Sequence, residues 1–172
     1  MEQLNEVRNY IAGKFTKNGH KTLDVISPSD GKKISTVPLS TMTDLNDAVK
    51  SAKEAFNIWS SVPIKERVQV FYKYKTLLEK NIQELAELTH IENGKTMDES
   101  VAEIEKSIEL TEFACSLPQL VGGEVLEVSA GVECRIEYKP LGVVASIAPF
   151  NFPHMVPHWT IPNAIALGNW MI

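Results

Sequence analysis

Hydrophobic and polar positions change period several times along the chain, and each change marks a different element. The run Leu141-Gly142-Val143-Val144-Ala145-Ser146-Ile147-Ala148-Pro149 shows no alternation. That suits a strand buried on both faces of a parallel sheet. Pro149 ends it, because proline cannot donate to a ladder. A turn at Phe150-Asn151-Phe152-Pro153 leads into a long apolar stretch that closes at Gly168-Asn169. Asn151 therefore stands at a strand end just before a helix, the edge at which open α/β sheets bind ligands. Upstream, Val132, Cys134, Ile136 and Tyr138 alternate with Glu133, Arg135, Glu137 and Lys139. This is the period of a strand with one wet face, which places Cys134 on the inward side.

The first third of the chain reads as short strands and turns. Tyr10 to Phe15 and Leu23 to Ile26 are strand candidates separated by Asn18-Gly19, a hairpin signal. Pro28-Ser29-Asp30-Gly31 is a second turn, after which Ile34 to Val37 can return as a strand. Leu45, Ala48, Val49, Ala52, Ala55, Phe56 and Trp59 then fall on one helical face, with Thr43 as N-cap and Asp44 at the positive end of the dipole. Pro63 can open a second helix, in which Ile64, Val68, Phe71, Leu78, Ile82, Leu85 and Leu88 keep helical spacing up to a stop at Asn93-Gly94. Thr96-Met97-Asp98-Glu99 matches a capping box. It opens a third helix with Val101, Ile104, Ile108, Cys115 and Leu117 on its apolar face and an end near Pro118. Gly122-Gly123 breaks the helical pattern.

A formal charge of −5 offers no basic patch for nucleic acid or an anionic membrane, and no apolar run reaches bilayer length. Met1 to Glu6 is polar and acidic, unlike a signal peptide. Cys115 and Cys134 are the only cysteines; without metal-ligand spacing they read as reduced thiols of a cytoplasmic protein. Cys115 lies on an apolar helical face and neither cysteine has a base nearby in sequence, so neither reads as a nucleophile. His154 and His158 are four apart, but they lack a third ligand and Pro157 intervenes, so no metal site is expected. No glycine-rich dinucleotide fingerprint is present, and Glu92-Asn93-Gly94-Lys95 reads as a polar turn. Asn151 is the strongest chemical candidate. Its carboxamide can donate to an oxyanion formed when a thiolate attacks an aldehyde carbonyl. A turn asparagine bonded to its own backbone is the alternative.

Ala148-Pro149-Phe150-Asn151-Phe152-Pro153, with Trp159, Pro162, Ala164-Ile165-Ala166 and Gly168-Asn169, resembles the aldehyde dehydrogenase superfamily. Phenylalanine before the asparagine, where many relatives carry tryptophan, resembles the CoA-acylating methylmalonate-semialdehyde dehydrogenases. The resemblance covers essentially the whole chain and implies an α/β fold, incomplete here. Residues 1–120 would be the N-terminal strands and three helices of the cofactor-binding domain. Residues 121–139 would form a protruding hairpin that assembles a homo-oligomer, and residues 140–172 the first strand and helix of the parallel NAD-binding sheet.

The implied reaction oxidises methylmalonate or malonate semialdehyde, with decarboxylation, to propionyl-CoA or acetyl-CoA. NAD takes the hydride and CoA the acyl group from a cysteine that the family carries further along. Asn151 would be the catalytic oxyanion donor, and Ile147, Ala148, Pro149 and Phe150 would contact NAD. Lys106-Ser107 stands where this branch usually has Arg-Gly, an arginine implicated in holding the substrate carboxylate. Lysine keeps the charge but loses the planar fork. A non-catalytic remnant or interaction module, and a dehydrogenase that releases free acid, remain alternatives. Residues Val143 to Ile147 are expected to expose apolar surface in the isolated chain, which would then aggregate or bind a partner.

Overall fold

The computed structural model describes residues 6–16 and 21–172. The chain opens with a small hairpin, β1 (Tyr10–Ile11) and β2 (Lys14–Phe15). The single strand expected over Tyr10–Phe15 is thus folded in two, because Ala12 and Gly13 both take left-handed conformations, at φ 54° and 74°. Two such residues in a row make the turn that matches strand twist. The Asn18-Gly19 turn lies outside the described residues. β3 (Thr22–Ile26) and β4 (Lys33–Pro38) form a second antiparallel pair around the expected turn.

Helix α1 (Met42–Trp59) follows. Its cap is Thr41, not Thr43. Thr41 Oγ1 accepts from Asp44 N, while the Asp44 carboxylate accepts from Thr41 N at 2.6 Å and Thr41 Oγ1 at 2.7 Å. Thr43 has an asparagine three residues on, whereas Thr41 has a carboxylate and completes the reciprocal box. The second helical stretch divides into α2 (Ile64–Arg67), α3 (Gln69–Lys80) and α4 (Ile82–Asn93). Pro63 precedes α2 rather than being its first residue. Gly94, at φ 80°, closes α4, and the Thr96–Glu99 box opens α5 (Met97–Leu120) as expected. α5 continues past Pro118 to Leu120.

α5 is the central element and packs against α3, α4 and α6 (Met155–Ala166). Two apolar clusters lie along it. One joins Val68 and Phe71 to Ala114, Cys115, Leu117 and Ala166; the other joins Leu78 and Ala86 to Ile104 and Ile108. The buried face of α5 also carries Ser100, Ser107 and Thr111. Each hydroxyl donates to the carbonyl four residues back, at 2.8–3.0 Å, so these side chains satisfy themselves and keep the helix surface thin where its neighbours approach.

Beyond α5, β5 (Glu124–Ser129) and β6 (Val132–Ile136) form an antiparallel hairpin whose residues are exposed on both faces. The expected single wet face, with Cys134 turned inward, is corrected accordingly: Cys134 is exposed. β7 (Val143–Val144) then pairs in parallel with β8 (Trp170–Met171) through α6, a β-α-β unit. Val143 and Val144 are half-buried, while Leu141 is 90% and Ile147 100% exposed. Apolar surface is therefore open on this segment, as expected, but the strand expected to reach Pro149 with both faces buried is corrected: it is two residues long and has one parallel neighbour among the described residues.

α6 is held at its C-terminal end by three elements. Trp59 Nε1 donates to Ile165 O at 2.8 Å and the buried Arg67 Nε to Ala166 O at 2.8 Å. The Asn169 side chain accepts from Leu141 N and Gly142 N, and donates to Ala164 O. Cationic and N–H donors at this end complement the helix dipole. Gly168 turns the chain at φ 94°, and a Cβ there would sit 3.1 Å from the Arg67 guanidinium carbon. Gly168→Ala is therefore expected to destabilise the fold by about 1–2 kcal/mol, from the left-handed backbone alone, as read by urea unfolding. An unchanged midpoint would show that neither strain nor crowding acts there.

Candidate active site

The turn Phe150-Asn151-Phe152-Pro153 lies on the connection between β7, which ends at Val144, and α6. Pro153 breaks the chain before α6 starts at Met155, and Pro157 is tolerated because first-turn N–H groups have no intrahelical partner. Asn151 is exposed, and its carboxamide makes no hydrogen bond among the described residues. It is not the self-bonded turn asparagine of the alternative reading. Ile147, Ala148, Pro149 and Phe150 are exposed beside it and form a continuous, largely apolar strip.

The turn is fixed from below by residues far away in sequence. Asn93 Nδ2 donates to Phe150 O at 2.7 Å. Lys95 Nζ lies 3.7 Å from the centroid of the Phe152 ring, a cation–π contact. Glu103, on the buried face of α5, accepts through Oε1 from His154 N at 2.8 Å and Met155 N at 3.0 Å. Its Oε2 takes the Lys95 ammonium at 2.5 Å. A carboxylate thus caps the positive end of α6. Burial alone would raise the Glu103 carboxyl, but the Lys95 ammonium and the two backbone donors outweigh it and hold it below the ordinary carboxylate value.

A second polar chain runs under the start of α6. His158 Nδ1 meets His154 O at 2.6 Å, so it carries the proton, and Nε2 accepts from Tyr74 Oη at 2.8 Å. His154 Nδ1 lies 2.7 Å from Ser107 Oγ, which itself donates to Glu103 O. The two imidazoles stack with centroids 4.5 Å apart. Burial, aided by the neighbouring His158, lowers His154 to about 4. Burial also lowers His158 and raises Tyr74. Both histidines are thus neutral structural groups, and among the described residues no group of three or more His, Cys, Asp or Glu could hold a metal ion.

Cys115 is buried and burial raises its thiol, which opposes thiolate formation. Lys106 is exposed on α5, pairs with Glu109, and takes no part in the bonds that fix the turn. Asn93, Lys95 and Glu103 were not legible as a set. Glu103 carried a signal, since a carboxylate one residue before Ile104 interrupts an apolar stripe. Asn93 and Lys95 looked like an ordinary polar turn. A concave surface lined by Arg67, Leu120, Tyr138, Lys139 and Asn169 lies at the base of the hairpin and includes none of residues 147–152. It is packing space beside the hairpin, without the chemistry gathered at the turn.

The aldehyde dehydrogenase family matches residues 15–172. The malonate-semialdehyde dehydrogenase 2 of Bacillus mycoides (strain KBAB4) is 42% identical over 174 aligned positions, covering 100% of this chain and 36% of its own length. The crystal structure of a methylmalonate-semialdehyde dehydrogenase from Oceanimonas doudoroffii superposes with a TM-score of 0.94 at 33% identity, covering 98% of this chain and 35% of that one. A Sinorhizobium meliloti 1021 protein complexed with NAD, provisionally a methylmalonate-semialdehyde dehydrogenase, gives 0.91 at 36% identity, covering 94% and 33%. The chain therefore spans about a third of the length of the relatives it matches. Among the described residues no helix is long and apolar enough to cross a membrane.

Removing the Glu103 carboxylate strands the Lys95 ammonium and two helix N–H groups. Glu103→Ala is expected to cost about 3–5 kcal/mol in chemical unfolding, and a loss under 1 kcal/mol would contradict the capping assignment. His154 adds a pH dependence. Its folded pKa of about 4 lies below the ordinary 6.5, so the unfolded chain takes up a proton first as pH falls. Stability should be flat in this term above 6.5 and fall between 6.5 and about 4. Replacing His154 with Gln should remove that part of the fall; an unaltered pH profile would mean that His154 does not titrate as described.

Proposed function

Because the chain belongs to the aldehyde dehydrogenase family, we propose that it supplies the oxyanion-binding asparagine and one wall of the dinucleotide site of a CoA-acylating semialdehyde dehydrogenase. Asn151 carries the proposal. Its amide is open to solvent on the connection from a parallel strand to α6, free of protein partners among the described residues, and mounted on a turn anchored from α4, α5 and their connection.

In this reading Asn151 Nδ2 donates to the aldehyde oxygen as a cysteine thiolate, from the part of the protein outside these residues, adds to the carbonyl carbon. The donor costs no reorganisation as charge develops, because the turn is already held. Ile147, Ala148, Pro149 and Phe150 form an exposed apolar strip that suits the nicotinamide–ribose end of NAD, with room for close approach at Ala148. NAD, when bound, accepts the hydride. Methylmalonate or malonate semialdehyde is the substrate class, with CoA as acyl acceptor. Relatives with those substrate names support the substrate class. Lys106 would offer its ammonium to the substrate carboxylate only after leaving Glu109.

Residues 1–120 and 140–172 belong in this proposal to the cofactor-binding domain. Residues 121–139 are the contact through which copies assemble. Val125, Leu126, Val128, Val132, Ile136 and Tyr138 are each about half or more exposed on that hairpin, which favours an interface. Two free thiols, Cys115 and Cys134, accord with a cytoplasmic enzyme.

In the complete enzyme, Asn151→Ala should lower kcat about 100- to 1000-fold with semialdehyde, NAD and CoA, as followed by NADH absorbance. NAD affinity should change little. A variant that turns over at the parent rate would remove Asn151 from the chemistry.

A further inference from the structure

We propose that Asn93 is a positioning residue that aims the Asn151 carboxamide, acting through the carbonyl of Phe150. The inference rests on the reading of Asn151 as the oxyanion donor. Asn93 is the last residue of α4, and its Nδ2 reaches across 57 positions of sequence to Phe150 O at 2.7 Å. That carbonyl belongs to the same planar peptide group as the Asn151 amide nitrogen. Fixing the oxygen fixes the peptide plane, and with it the direction in which Asn151 leaves the backbone. Without the bond, rotation of this plane would swing the carboxamide away from the site.

Three further features make Asn93 a rigid mount. Gly94 takes φ 80°, which closes α4 and sends the chain directly into Lys95. A Cβ on Gly94 would meet Pro28 Cγ at 2.8 Å, so the connection is packed against the β3–β4 turn as well as turned by its backbone. Lys95 then holds the Phe152 ring and the Glu103 carboxylate at once. The two sides of Asn151 are therefore gripped by adjacent parts of one short connection, with Asn93 on the Phe150 side and Lys95 on the Phe152 side. Asn93 touches no reacting atom in this arrangement, so its effect passes through Asn151.

A double-mutant cycle on kcat tests this. Asn93→Asp keeps the shape and removes the donor, placing a carboxylate oxygen against the Phe150 carbonyl. In the complete enzyme it should lower kcat on the order of 100-fold, the scale of a misplacement of about 1 Å at a reacting group, with KM for NAD little changed. In an Asn151→Ala background the same change should cost less than about twofold, because nothing is left to aim. A merely structural Asn93 would lower kcat equally in both backgrounds, and that result overturns the proposal. If Asn151→Ala alone leaves kcat intact, the oxyanion reading fails instead, so the two failures are separate.

The complete enzyme, labelled with 15N at asparagine, gives an independent reading by NMR that needs no turnover. Loss of the bond to Phe150 O should move the Asn151 backbone amide resonance in Asn93→Asp, and acidification that protonates the new carboxyl should restore it. An Asn151 resonance unmoved by the substitution overturns the proposal.

Discussion

A buried carboxylate at the mouth of a helix organises this structure. Glu103 satisfies two N–H groups of α6 and the Lys95 ammonium together. Without it the positive end of α6 would be buried against α5 with no counter-charge, and the turn before it would have no fixed origin. Charge at the other end matches, with the Arg67 guanidinium on the Ala166 carbonyl and the Trp59 indole on that of Ile165. α6 is thus clamped along its axis by groups from α1, α2 and α5. A strand end and a turn borne on such a helix are set by the whole helical layer, which is how a single exposed amide can hold its direction without a partner of its own.

Much of this could be read from the chain. The capping box at Thr96, the stop at Gly94 and the Pro28–Gly31 turn all used strong local signals, and each appears where it was expected. The unalternating run after Leu141 does pair in parallel, but only Val143–Val144 are strand and they are half-buried, because β8 is their one strand neighbour among the described residues. The misses have physical causes. Ala12 in a left-handed conformation is costly, so pattern reading extended one strand where the chain reverses. Thr43 is adjacent to Asp44, but only Thr41 has the three-residue spacing that closes the reciprocal box with it. Alternation in 132–139 predicted a buried side, yet alternation reports only that two faces differ, and here both are open.

The candidate site was half visible. Asn151 and its apolar strip follow from the order of strand, turn and helix, together with a matched family pattern. Their support does not. Asn93, Lys95 and Glu103 lie 48 or more positions from Asn151 in sequence, and each looks ordinary in its own segment. Ser107 and Thr111 were invisible for a related reason: hydroxyls that bond their own helix behave as small packing residues, and hydropathy reads them as polar.

Openness on both faces of β5 and β6 has a consequence for how that hairpin knows its own alignment. A strand with one buried side is locked because sliding by one residue would turn its apolar set toward water. Here sliding exchanges one wet surface for another, and the ladder already steps out of line between Glu127 and Ser129. Pairing fidelity therefore rests on the tip, where Gly131 adopts φ 72° beside Ala130. Two residues at the far end of the arm decide which side chains the arm presents.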